Sequence, residues 1–247
     1  MPKKRHATPA SRGKLLLVFL VTHKRGERVH PARDEDLRAA FISRLAGYRA
    51  SQIVVVDESS TSENATERRW GWAPRGVAYR MTQTARDRAG AWSILPAIGI
   101  NGYLDYEICR AAFNTESFSH YIERLLLKMN PFPGPRSVLI MDYCKTHHGI
   151  ELQLLCAARG VILEYLPAYS PDMSPIEESF SVLKAWLRKN RDLARPWIDM
   201  QEFGQFLHIA VEEADLKGRA RELFANCGYI VEEDDQDVDH EYLREEA

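Results

Sequence analysis

The tract IVVVDES at residues 53–59 admits few folds. Four consecutive β-branched apolar residues leave no polar face, so the strand they form is covered on both sides, as a central strand is in a sheet flanked by helices. The acids that end it, Asp57 and Glu58, then stand at the rim of that sheet. Two more short apolar runs follow, SVLIMD ending at Asp142 and VILEYL at 161–166. Helical periodicity separates them. Phe118, Ile122, Leu125 and Met129 mark a helix from Glu116 to about Met129, and GIELQLLCAAR forms another that Gly160 stops. Upstream, WSILPAIGI and YLDYEICRA flank Asn101-Gly102, a strong hairpin signal, so these two strands are expected to pair antiparallel. Strands followed by alternating helix and strand indicate an α/β chain with a mixed sheet and helices on its faces.

The rest of the chain frames that core. Residues 1–13 read as a disordered basic arm, 14–50 as a short N-terminal segment with one amphipathic helix, 51–230 as the main domain with its C-terminal helices, and 231–247 as an acidic tail. The helix in 14–50 begins at Asp34 and carries Leu37, Phe41, Leu45 and Tyr48 at helical spacing, while KLLLVFLV at 14–21 reads as a strand or buried segment. Residues 59–76 read as a polar loop in which Arg68, Arg69 and Arg75 stand among Trp70 and Trp72. Such interleaving suits contact with nucleic acid, and a tryptophan pair also serves to pin a long loop to a core. Two further helices are expected near 198–214 and 217–226.

Composition excludes several classes. With 45% hydrophobic residues in 247, the chain can bury a sizeable core, yet no apolar run approaches the roughly 18 residues of a membrane span. Cys109, Cys144, Cys156 and Cys227 lack metal-type spacing, so reduced thiols of an intracellular protein are expected. The net charge of −2 hides an asymmetry, because residues 231–247 hold nine acids against one arginine. A basic body with an acidic tail suits a polyanionic partner. PKKR near the start resembles a minimal nuclear-import signal, and the nucleus is the expected location.

Chemistry concentrates at 161–188, VILEYLPAYSPDMSPIEESFSVLKAWLR. Ser174 suits a helix N-cap, Pro175 the first helical position, and Glu177 falls three residues after the cap. Ile176, Phe180, Leu183 and Leu187 mark the buried stripe of this helix; Glu177, Ser181, Lys184 and Arg188 mark a polar flank that could hold a metal and a phosphate backbone. Ser-x-x-Glu is also the capping box, in which Glu177 would merely return a hydrogen bond and Ser174→Ala would cost about 1 kcal/mol. Asp57, Asp142 and Glu177 occupy comparable places, at two strand ends and one helix mouth. Clustered carboxylates repel unless cations lie between them, and oxygen-only ligation with room for water is the preference of Mg²⁺ or Mn²⁺. Two such ions would activate a water or a 3′-hydroxyl for phosphodiester displacement. Asp172 reads as a turn residue, and Glu58 and Glu178 are the nearest substitutes for the assigned acids.

In their order, VVVDES, GWAPRG, WSILPAIGINGYL, VLIMDYCKTHH and LPAYSPDMSPIEESFSVLK resemble the catalytic domain of mariner-like DNA transposases of the DDE superfamily and their bacterial insertion-sequence relatives. The resemblance covers roughly residues 50–190, and its most specific parts are LPAYSPDMSPIE and the 34 residues separating Asp142 from Glu177. It implies a ribonuclease H-like fold and a catalytic, metal-binding triad of Asp57, Asp142 and Glu177. His147 falls on the motif's histidine, with a role behind the metal ligands or against DNA. Double-stranded DNA and a second transposase subunit are the implied partners, and two Mg²⁺ or Mn²⁺ ions the implied cofactor, with no organic cofactor. The chain departs from the pattern at Tyr143, where asparagine is usual, and at Pro167-Ala168, where a double proline is usual. About 50 residues precede the first catalytic strand, too few for the paired helix-turn-helix modules that recognise transposon ends.

The expectation is therefore metal-dependent DNA strand cleavage and strand transfer by a domain without its own end-recognition modules. The alternatives are a catalytically silent, domesticated or truncated remnant that binds DNA, and a ribonuclease H-like nuclease acting on another nucleic acid. The three retained carboxylates favour the enzyme.

Overall fold

The structure is a computed structural model that describes residues 30–66, 72–78, 90–142, 150–214, 216 and 218–232. The chain divides into two compact units, Met1–Pro31 and Ala32–Ala247, and every element named below belongs to the second. The basic arm, the apolar run at 14–21 and the acidic tail beyond residue 232 lie outside the described residues.

Helix α1 (Glu35–Leu45) is capped by Asp34, whose carboxylate accepts from the amides of Asp36 and Leu37 at 2.9 and 3.0 Å. Its inward stripe is not the expected one. Phe41 is buried, but Leu37 is 56% exposed and Arg38 takes the inner position, because a partner for its charge waits there.

All four residues of strand β1 (Ile53–Val56) are buried. Strand β2 (Ser59–Ser62) follows, where the sequence suggested only a polar loop. Both lie along one edge of β3 (Ala91–Gly99): Val56 faces Ala97 and Ser59 faces Ile94, so the two are one strand interrupted at Asp57 and Glu58. Continued across the gap, the register sets Asp57 opposite Pro96, which has no amide proton to give to a ladder. Serine has little preference for strands, so pairing with β3 creates β2. Strand β4 (Gly102–Arg110) lies antiparallel along the other edge of β3, as expected, but Gly99 faces Gly102 and the turn residues are Ile100 and Asn101, one place earlier than the Asn-Gly signal implies.

Helix α2 (Thr115–Leu126) is capped by Asn114, and β5 (Val138–Met141) follows it. Helix α3 (Ile150–Ala158) ends before Gly160, whose φ of +66° is the left-handed conformation of a helix stop. Strand β6 (Ile162–Tyr165) pairs with β5, and β5 with β1, both in parallel. The chain then forms α4 (Pro175–Lys189), α5 (Arg191–Asp199), α6 (Phe203–Glu213) and α7 (Ala220–Asn226). The stretch expected as one helix at 198–214 is thus divided, because Gln201 takes a φ of +61° between α5 and α6.

Strand alternation distributes the core. Ile53, Val55, Val138 and Ile140 face one side, packed with Phe41 of α1, Ile176 and Phe180 of α4 and Phe224 of α7. Val54, Val56, Leu139 and Met141 face the other, packed with Tyr121, Ile122 and Leu125 of α2 and Cys156 of α3. A further cluster ties Leu183 and Leu187 of α4 to Phe203, Phe206 and Leu207 of α6 and to Ile94. There α6 approaches β3 so closely that a Cβ on Gly204 would lie 2.5 Å from the Trp92 ring.

Candidate active site

Val56 of β1 and Met141 of β5 are register partners in a parallel pair, so the next residues, Asp57 and Asp142, come from neighbouring positions at one rim of the parallel part of the sheet, although β2 carries the first strand on along β3. Adjacent strands run about 4.8 Å apart, which roots the two carboxylates beside each other. Alternation fixes their face. Asp57 continues the row Ile53, Val55, and Asp142 the row Val138, Ile140; both rows face α4. Both side chains are half-buried. The Asp57 carboxylate accepts from the amide of Glu58 at 2.7 Å. Glu58 belongs to the opposite row, where it lies near Cys109 and, after burial, helps hold that thiol above its usual range. It points away from the face that Asp57 and Asp142 share.

Glu177 stands in the first turn of α4, next to Ile176, which is fully buried against Val55 and Ile140. Its side chain is exposed, at the positive end of the helix dipole. The capping box does not form: Ser174 makes no side-chain cap, and its buried hydroxyl has no hydrogen-bond partner among the described residues. The neighbouring carboxylate is the engaged one, since Glu178 accepts from Asn226 at 3.1 Å. Among the described residues, no three His, Cys, Asp or Glu side chains are gathered closely enough to hold a metal ion. The structure thus brings Asp57 and Asp142 to one rim and aims the first turn of α4 at the same face, without a closed three-carboxylate cluster. The oxygen-only donors at this rim fit Mg²⁺ or Mn²⁺ and no softer metal.

The turn ahead of α4 is held by residues the sequence did not single out. Arg38, almost fully buried, donates to both oxygens of Asp172, at 3.0 and 2.7 Å. The Arg38 hydrogen bond holds the Asp172 carboxyl below its usual range. The Tyr229 hydroxyl donates to the Met173 carbonyl at 3.0 Å. Asp172 is thus more than a turn residue, and only the 134-residue separation from Arg38 hid the pair from sequence reasoning.

Lys184 and Arg188 continue the flank of Glu177 along α4, with Lys184 over the Phe180 ring and Arg188 exposed. Arg75 is exposed, and so is Trp72. Arg68, Arg69, Trp70 and His147 lie outside the described residues.

Residues 52–196 match the family described as DDE superfamily endonuclease. Among solved structures, the chain is similar in fold to a pre-cleavage Mos1 transpososome, with 16% identity, a TM-score of 0.57, and coverage of 94% of this chain and 83% of that one. The Mos1 mariner paired end complexes with Mn and with Mg are similar at 15% and 17% identity, with TM-scores of 0.56 and 0.54. Each covers 94% of this chain, matched to 83% and 84% of the other. The ribonuclease H-like sheet expected from the sequence is the sheet observed. No curated protein matches the chain. No helix among the described residues is long and apolar enough to cross a membrane. The family match spans more than half of the chain and takes in Asp57, Asp142 and all of α4, and this protein belongs to the DDE superfamily of endonucleases.

Proposed function

We propose that Asp57, Asp142 and Glu177 are the metal-binding, catalytic carboxylates of a transposase-type endonuclease that cleaves and transfers strands of double-stranded DNA. The observation that carries this reading is the shared face: two aspartates follow register-paired residues of β1 and β5, and the helix bearing Glu177 packs on the same side of the sheet. Two Mg²⁺ or Mn²⁺ ions bound there would activate the attacking water or 3′-hydroxyl and stabilise the leaving oxygen. Asp57 and Asp142 supply ligands from rigid strand ends, and Glu177 supplies one from a helix mouth free of capping duty. Solved relatives in this fold include complexes with Mn and with Mg, which supports a divalent ion in the same role here.

The DNA backbone would run along the cationic flank of α4, past Lys184 and Arg188, with Arg75 and the exposed Trp72 reaching it and Arg68 and Arg69, nearby in the sequence, as further cations. His147, five places after Asp142, would act behind the ligands or against DNA. The paired-end form of the Mos1 complexes supports a second subunit as partner, and PKKR supports action in the nucleus.

Nicking of supercoiled plasmid in Mn²⁺ tests the reading. Parent protein is expected to nick, and Asp57→Asn, Asp142→Asn and Glu177→Gln to be inactive while still folded. If Glu177→Gln nicked like the parent, the glutamate would have no metal role and the DNA-binding remnant would be the better account.

A further inference from the structure

The turn that leads into α4 and Glu177 is tied by parts of the chain outside the 52–196 family match. Helix α4 lacks a side-chain cap, and its mouth is tied from elsewhere. From the N-terminal side, Arg38 of α1 grips Asp172 in the turn Pro171–Met173 with a two-pronged ion pair, while Arg33 approaches the same carboxylate at 3.8 Å and Glu35 braces Arg38 at 3.2 Å. From the C-terminal side, Tyr229 holds the Met173 carbonyl and Asn226 holds Glu178. Pro171 and Pro175 stiffen the segment between these ties, so a displacement at Asp172 passes to the first turn of α4 instead of being absorbed. Tyr169, at a φ of +58°, leads into the turn, a conformation that costs a non-glycine residue energy and persists only where surrounding contacts impose it.

The geometry points to Arg38 as a positioning residue for the reaction: through Asp172 it sets where the Glu177 carboxylate stands relative to Asp57 and Asp142. This rests on the reading of Glu177 as a metal ligand. Glu177 reaches this face only as part of the first turn of α4, so its position depends on what anchors that helix. A planar guanidinium that engages both oxygens of Asp172 defines that position in a way a single ammonium does not. Helix α1 thereby acts on the reaction through Asp172 and the mouth of α4.

The test uses the full chain with Arg38→Lys, which keeps the charge and gives up the fork, and with the swap R38D/D172R. In Arg38→Lys, the Mn²⁺ concentration for half-maximal nicking is expected to rise about tenfold, the size typical of losing a partner that orients a metal ligand, with KM for plasmid unchanged. The swap is expected to recover part of that loss. Without metal or DNA, hydrogen exchange of the peptide spanning 172–178 is expected to quicken about tenfold in Arg38→Lys, while exchange in β5 stays as in the parent. Unchanged exchange at 172–178, or an unchanged Mn²⁺ requirement, would overturn the proposal, as would activity falling only in step with melting temperature. Glu177→Gln run alongside separates the two claims: if it nicks like the parent, the reading of Glu177 fails and takes this proposal with it. If it is inactive while Arg38→Lys behaves as the parent, only the role of Arg38 fails.

Discussion

Val56 and Met141 face each other across the parallel pair β1–β5, and each is followed at once by an aspartate. Because the paired rows behind Asp57 and Asp142 both face α4, the two acids are placed by the same strand geometry that builds the core. Metal dependence should therefore be visible in stability as well as in activity. At a free Mn²⁺ concentration about a hundredfold above Kd, binding to the folded form alone adds about 2.7 kcal/mol, measurable as a rise in melting temperature. Asp57→Asn and Asp142→Asn should each remove most of that rise, because an amide is a poor substitute for a carboxylate on a divalent cation. A variant with the full Mn²⁺ shift would exclude its aspartate from the site.

Ser174 and Glu177 part company in the structure. The Ser174 hydroxyl is buried, caps nothing and has no partner among the described residues, so Ser174→Ala is expected to be neutral or to stabilise by up to about 1 kcal/mol, where a true cap would lose that amount. Glu177 is exposed, so Glu177→Gln should stay within about 0.5 kcal/mol of the parent. Urea melts of both variants check the pair of values. A loss of about 1 kcal/mol or more at Ser174 would restore the capping box.

Asp172 supplies a pH signature. Its folded pKa is lowered from the ordinary 3.8, chiefly by the hydrogen bond from Arg38, so its contribution to stability is present above pH 3.8 and is lost as pH falls through the folded value. The stability gap between the parent and Asp172→Asn should accordingly hold from neutral pH down to about pH 4 and close below it. A gap independent of pH would mean that packing, and not the ion pair, makes the difference.

Gly204 is fixed by a close approach. A methyl group there would overlap the Trp92 ring, so Gly204→Ala should destabilise by about 1–3 kcal/mol through separation of α6 from β3, despite the better helix propensity of alanine. Thermal unfolding would show it, and a stabilised variant would contradict the close packing.

DNA binding should be electrostatic. Removing Arg188 or Lys184 is expected to weaken binding to any duplex alike and to reduce the slope of log K against log salt by about 0.9 for each phosphate left without its cation. Filter binding across a salt series measures this; an unchanged slope would take that residue off the DNA path.

Local chemistry was enough to mark the buried strands. IVVV and VLIM are apolar on both sides whatever surrounds them, so their central place in a helix-flanked sheet and the rim position of the acids that end them could be read directly. Asp34 announced a helix start and Gly160 a stop, because caps and left-handed turns are decided by neighbours in the chain. Long-range pairing decided the rest. One threonine among three serines is too little to make SSTS a strand until β3 lies beside it, and the break that leaves Asp57 at the rim falls opposite Pro96, far along the chain. The Asn-Gly signal located the hairpin, but the register of β3 against β4 moved its turn by one residue. Arg38 broke the expected apolar stripe of α1, and its burial makes sense only with Asp172, brought from 134 residues downstream. Sequence alone determined which residues could do chemistry, since that depends on residue type and local order; the tertiary fold decided which of them share a face and what holds them there, because those are properties of contacts the chain makes only once it is folded.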